Sequence, residues 1–230
     1  MPAGLQIFNT SGTIQIDENY QNYMLLAKGT VTSGSLLDDA GLPINGVQVF
    51  TSSVTEFVAV RGSDRVALHS ILPSGAGLRY VFAAPFGSSV TYYRYALGVN
   101  SAQPYGLQVF NAAGALVFDA MCPSMRIETI LNGPDYAAFF GDWVWNASKQ
   151  YAVAYGAWSG SIGMDVTPVG TQLLIEYWRS SPSATAIAGG LRFSLNSRYW
   201  TRSQMVTSAP ANPAYKFGKF QALIVDVTGQ

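Results

Sequence analysis

Few side chains in this sequence have the types and spacing that chemistry needs. The single histidine, His69, sits in the run RVALHSILP beside Ser70, with Glu56 and Asp64 upstream. A nucleophile triad requires serine, base and acid to meet in space, and the elbow that exposes such a serine reads Gly-x-Ser-x-Gly. No glycine pair surrounds Ser70, so His69 is expected to be a structural residue. Five acids, Glu128, Asp135, Asp142, Asp165 and Glu176, could supply the carboxylate pair of a glycan hydrolase. That reaction needs two carboxyl groups about 5–9.5 Å apart across a cleft. Turn and strand-end roles are the simpler expectation for them, and a glycan depolymerase is the least favoured function. One cysteine, Cys122, and one histidine leave no Cys/His metal site and no internal disulfide. No calcium-loop, P-loop or dinucleotide pattern occurs. The expectation is therefore no catalytic residues, no metal and no cofactor: not an enzyme.

Aromatic residues give the stronger signal. All five tryptophans, Trp143, Trp145, Trp158, Trp178 and Trp200, fall in the second half. Exposed aromatic faces stack on sugar rings or anchor protein interfaces. Trp143 and Trp145 share one strand face and read as core. Tyr199 and Trp200 lie between Arg198 and Arg202 in NSRYWTRSQM, where a guanidinium can pair with an aromatic face. With Trp158, these four form the candidate receptor or interface set.

Composition says what kind of surface must carry these groups. Charged residues make up 11% of the 230, against about 25% in an average soluble domain. Thirteen basic and thirteen acidic residues cancel, so nucleic-acid binding has no electrostatic footprint. A neutral, apolar-rich surface associates readily, which suits a subunit covered by partners. No signal peptide or apolar run of membrane-spanning length is seen, so synthesis in the cytoplasm and no membrane span are expected.

The elements that position these residues read as strands. Short runs rich in Val, Ile, Tyr, Phe, Trp and Thr are broken by Gly, Pro, Asn and Ser throughout, which predicts an all-β fold of antiparallel, sandwich-like units. Asn45-Gly46 in INGVQVF is a hairpin-turn signal. Asn146-Ala147-Ser148 matches a glycosylation sequon but is expected to form the turn within DWVWNASKQYAVAYGAW.

One phrase occurs twice: GLQIFNTSGTIQID (4–17) and GLQVFNAAGALVFD (106–119), at a constant offset of 102 positions. Each copy predicts a β-hairpin. Asn9 and Asn111 open a four-residue turn and Gly12 and Gly114 close it, the favoured places for both types. Asp17 and Asp119 end the return strands, where a carboxylate can accept backbone N–H bonds. A boundary near residue 103 follows, giving an N-terminal β domain (1–103) and a C-terminal β domain (104–230), two related halves each starting with a hairpin.

The pattern GLQxFNxxGxxxxD resembles small structural proteins encoded among the tail-tip and tail-fibre genes of long-tailed bacteriophages. The resemblance covers the two hairpins and the Gly/Ser-rich β character of the chain. It implies a virion protein of the distal tail tip or baseplate, oligomeric (a trimer or ring), with other tail proteins as partners. A host-surface glycan or pilus is the alternative partner, through a receptor-binding tail fibre or tip module. It carries over no catalytic residue.

Overall fold

The computed structural model describes residues 6–8, 14–17, 22–37, 41, 43–98, 106–134, 136–156, 160–195, 199–208, 215–217 and 219–230. The first half runs β1 (Gln6–Phe8), β2 (Ile14–Asp17), β3 (Tyr23–Thr32), β4 (Gly34–Leu37), β5 (Pro43–Phe50), β6 (Phe57–Gly62), β7 (Ala67–Ser74), β8 (Gly77–Ala83) and β9 (Ser89–Leu97). The second runs β10 (Gln108–Phe110), β11 (Leu116–Asp119), β12 (Arg126–Gly133), β13 (Gly141–Val144), β14 (Tyr151–Tyr155), β15 (Gly160–Val169), β16 (Gln172–Ser180), β17 (Pro182–Ile187), β18 (Gly190–Leu195), β19 (Tyr199–Val206), β20 (Tyr215–Phe217) and β21 (Phe220–Asp226). The fold is all-β, and every strand pair is antiparallel. Among the described residues the one helical segment is the 3-10 turn Tyr136–Phe139, and no helix is long and apolar enough to cross a membrane.

Strand order reveals a duplication deeper than the hairpins. A six-stranded sheet runs β12-β21-β14-β6-β9-β3. Read outward from its middle, β6-β9-β3 is answered by β14-β21-β12. In the second layer, β5-β8-β7 is answered by β13-β18-β17. The halves touch through three antiparallel pairs: Val60 with Val153, Val66 with Ala184, and Met24 with Ser124. Antiparallel pairing is what a local two-fold axis produces, so the halves are related by an approximate two-fold. Outside this scheme stand β4 and the separate sheet β19-β16-β15-β20, which is inserted into the second half.

The Val66–Ala184 bridge links the two sheets of the second layer side by side. Between that layer and the six-stranded sheet lies the main core, including Val47, Phe82, Val60, Val153, Phe193 and Phe220. The Met24–Ser124 bridge joins the start of β3 to the residues just before β12. It is backed by Leu25 N donating to Pro123 O (2.7 Å) and Met125 N to Tyr23 O (2.8 Å). These strands are the two edges of the six-stranded sheet, so the sheet curls until its corners meet. The face inside the curl is packed by Ala59, Ala152 and Ala154 around Tyr93, Tyr95, Val225 and Val227. Small side chains on β6 and β14 make room there for the tyrosines. With both faces covered, Tyr151–Tyr155 is buried at every position, as a continuous apolar run requires.

Two expectations are corrected here. Residue 103 separates the two copies of the repeat, but it does not separate two cores: the six-stranded sheet takes three strands from each side. Asn45-Gly46 forms no turn. Both residues lie inside β5, paired with β4 on one side, and Gly46 also with β8 on the other. Glycine stands there for closeness, since a Cβ at 46 would fall 2.1 Å from Phe82 O.

Candidate functional site

The repeated phrase is a structural device. β1 pairs β2 with Gln6 opposite Asp17, and β10 pairs β11 with Gln108 opposite Asp119; the register shifts after the second pair in both. Asn9 and Gly12 lie outside the described residues. In the second copy Asn111 Oδ1 accepts from Ala113 N (3.0 Å) and Ala115 N (2.8 Å), and Gly114 N donates to Asn111 O (2.9 Å). Gly114 has φ 77°, a left-handed conformation that glycine adopts without a Cβ clash. Asp119 is fully buried. Its carboxylate accepts from Met121 N (2.8 Å) and from Gln108 Nε2 (2.9 Å). The sequence showed the Asp as a strand end; it did not show the repeated Gln as its cross-strand partner. The shared offset of Gln and Asp within both copies was the available signal.

The candidate catalytic groups are spread over several sheets. His69 is 2% exposed on β7. Of the acids upstream of it, Asp64 accepts from Arg65 N. Glu56 accepts from Ser52 N (2.8 Å), Ser52 Oγ (2.7 Å), Ser53 N (3.0 Å) and Arg94 Nε (2.8 Å). Glu128 on β12 faces Lys149 at 3.4 Å. Asp142 on β13 takes a two-pronged bond from Arg192, at 2.6 and 2.9 Å. Asp165 and Glu176 sit opposite each other across β15 and β16. Asp135 lies outside the described residues. The four described acids of the proposed hydrolase set thus occupy three different sheets. Asn146 does form a turn, its Oδ1 accepting from Ser148 N at 3.0 Å.

Two ion pairs went unseen in the sequence, and the two-fold relates them. Val60 faces Tyr92, and Val153 faces Ile224. Four residues before the valines stand Glu56 and Lys149; two after their partners stand Arg94 and Asp226. Glu56 bonds Arg94 (2.6 Å), and Lys149 bonds Asp226 (3.1 Å). The same place in the frame holds an ion pair in each half, with the signs exchanged. Burial pushes the Glu56 carboxyl up, but the Ser52 and Arg94 hydrogen bonds outweigh it and hold it below its ordinary value. Asp226 is likewise raised by burial and lowered further by Thr228, Lys149 and Arg126.

The inserted sheet carries the candidates Tyr199, Trp200 and Arg202. Trp158 and Arg198 lie outside the described residues. Tyr199, Trp200 and Arg202 are on β19, the edge strand, at defined register positions; their side chains are outside the described part. Arg179 stands opposite Tyr199, Trp178 opposite Trp200, and Tyr177 opposite Arg202, with a register shift between Tyr177 and Trp178. Tyr215 on β20 stands opposite Ile162, which itself faces Arg179. One end of this sheet therefore gathers two tryptophans, three tyrosines and two arginines onto neighbouring strands. By contrast, Trp143 and Trp145 pack on the main core, their rings 6.4 Å apart. Trp143 Nε1 donates to Phe139 O (2.8 Å), the partner a half-buried indole needs. No family model, curated protein or solved structure matches this chain.

Proposed function

We propose that this chain is a non-enzymatic structural subunit of a bacteriophage tail, placed at the distal tip or baseplate, where it oligomerises and binds other tail proteins. The observation that carries this reading is the repeated hairpin phrase, whose two copies share residue types and strand register. The low charge of the chain suits a subunit whose surface is covered by partners. The reading is tested by locating the chain in purified particles of a phage that encodes it, by cryo-electron microscopy with antibody labelling. Density in symmetric copies around the tail axis is expected. Absence of the chain from the particle would overturn the proposal.

A second reading, recognition of a host-surface glycan or pilus, is favoured by the aromatic and arginine positions of the inserted sheet. That sheet has no counterpart in the first half, so the frame does not need it, and recognition is a reason for its presence. Trp200→Ala together with Tyr199→Ala is expected to reduce adsorption of particles to host cells at least tenfold while particle assembly continues. Unchanged adsorption would dismiss the reading.

A further inference from the structure

The duplication allows each position in one half to be compared with its counterpart in the other. The two edges of the six-stranded sheet, β3 and β12, are such counterparts, and they differ in kind. Facing Tyr93, Thr91 and Ser89, β3 presents Lys28, Thr30 and Thr32. Facing the corresponding Val225, Leu223 and Gln221, β12 presents Ile127, Ile130 and Asn132. Natural edge strands are protected from pairing by lysine and polar residues, and β3 follows that rule. Lys28 Nζ lies over the Tyr93 ring, 5.5 Å from its centre, and Thr30 Oγ1 shares a 3.0 Å hydrogen bond with Thr91 Oγ1. On the same face of β12 two of the three corresponding positions are isoleucine. Ile127 is 49% exposed and Ile130 64%. The two charges of the strand are already engaged, Arg126 with Asp226 and Glu128 with Lys149. Among the described residues β12 is paired along its length with β21 alone. Beside Ile130, a cavity of about 260 Å³ opens between Phe57, Asn132, Gln221 and Leu223.

The geometry points to β12 as a dimer edge, paired antiparallel with β12 of a second copy of this chain across a two-fold axis. The strand is complementary to itself. In the symmetric register Ile127 stands opposite the partner's Ile130 and Ile130 opposite the partner's Ile127. Arg126 then meets the partner's Leu131, and Glu128 the partner's Thr129, so no like charges face each other. Ile127 and Ile130 face the same side of the sheet, because the register shift between Ile127 and Thr129 absorbs one residue. The cavity beside Ile130 gives the partner's Ile127 side chain somewhere to go. A closed two-fold pair uses the same patch on both copies, and free strand edges supply main-chain hydrogen bonds for it. The inference rests on the frame alone and goes beyond the tail proposal, which stands or falls separately.

Sedimentation equilibrium of the intact chain tests it. A dimer is expected, weakened at least tenfold by Ile130→Lys and by Ile127→Lys, and unaffected by Thr30→Lys on the counterpart edge. Circular dichroism checks that the variants fold. Hydrogen exchange of the wild-type chain at low and high concentration supplies a readout without mutation: the amides of Arg126–Gly133 slow as the dimer forms. A monomeric wild-type chain overturns the inference. So does an oligomer that survives both lysine substitutions, or association that leaves the β12 amides as fast as before.

Discussion

At the scale of single residues, the buried carboxylates Asp119 and Glu56 are satisfied by partners within the fold. Asp119 is fully buried and holds a backbone N–H and the Gln108 amide. Asp119→Ala takes the carboxylate acceptor away from Met121 N and the Gln108 amide and is expected to cost about 1–3 kcal/mol, read as a lower urea midpoint. Arg94→Met leaves the Glu56 carboxylate buried without its cation, and about 3 kcal/mol is expected from that loss. The two ion pairs also set the acid limit of stability. Glu56 and Asp226 both have folded pKa values below their ordinary ones. As pH falls, the unfolded chain takes up protons first. The stabilisation is therefore complete above the ordinary carboxylate range and is lost as pH drops through that range toward the folded values. Urea midpoints between about pH 7 and about pH 3 should fall toward acid, and Glu56→Gln should flatten the slope. The residue types of the repeat were legible because turns are local: Asn111 and Gly114 do what their offsets imply. The ion pairs were not, because Glu56 and Arg94 are 38 positions apart and only the sheet brings them together.

At the scale of elements, strands were legible and their partners were not. Val, Tyr and Phe runs mark β9 and β14 in the sequence, but nothing local says that β8 pairs in one layer while β9, next in the chain, pairs in the other. Asn45-Gly46 shows the limit most plainly. A dipeptide that favours a turn in isolation was overridden by neighbours on both sides, and its glycine is needed because β8 passes so close. Gly190 repeats the case on β18: a Cβ there would lie 2.0 Å from Trp143 O. Because backbone oxygens are the obstacles, Gly46→Ala and Gly190→Ala must displace a strand. Each is expected to cost at least about 1–3 kcal/mol, as overpacking does, with a lowered melting temperature. A melting temperature unchanged by either substitution would contradict the close approach. Of the inserted sheet the sequence offered Tyr199 and Trp200 between Arg198 and Arg202; its separation from the frame was visible only once the duplicated order of the other strands was known.

At the scale of the whole molecule, the repeat announces two units, and the fold fuses them. Each half brings three strands to the six-stranded sheet, and the halves meet at Val60–Val153, Val66–Ala184 and Met24–Ser124. The main core draws on both, Val60 and Phe82 from one and Val153 and Phe220 from the other. A half on its own would expose the inner faces of both layers. This is why the division near residue 103, legible as a repeat boundary, is not a boundary between folding units. Differential scanning calorimetry of the intact chain tests this fusion most directly. One cooperative transition of the frame is expected, with calorimetric and van't Hoff enthalpies equal, shifted as a whole by Asp119→Ala in one half or Arg94→Met in the other. Two separable transitions, each moved by only one of these substitutions, would contradict it.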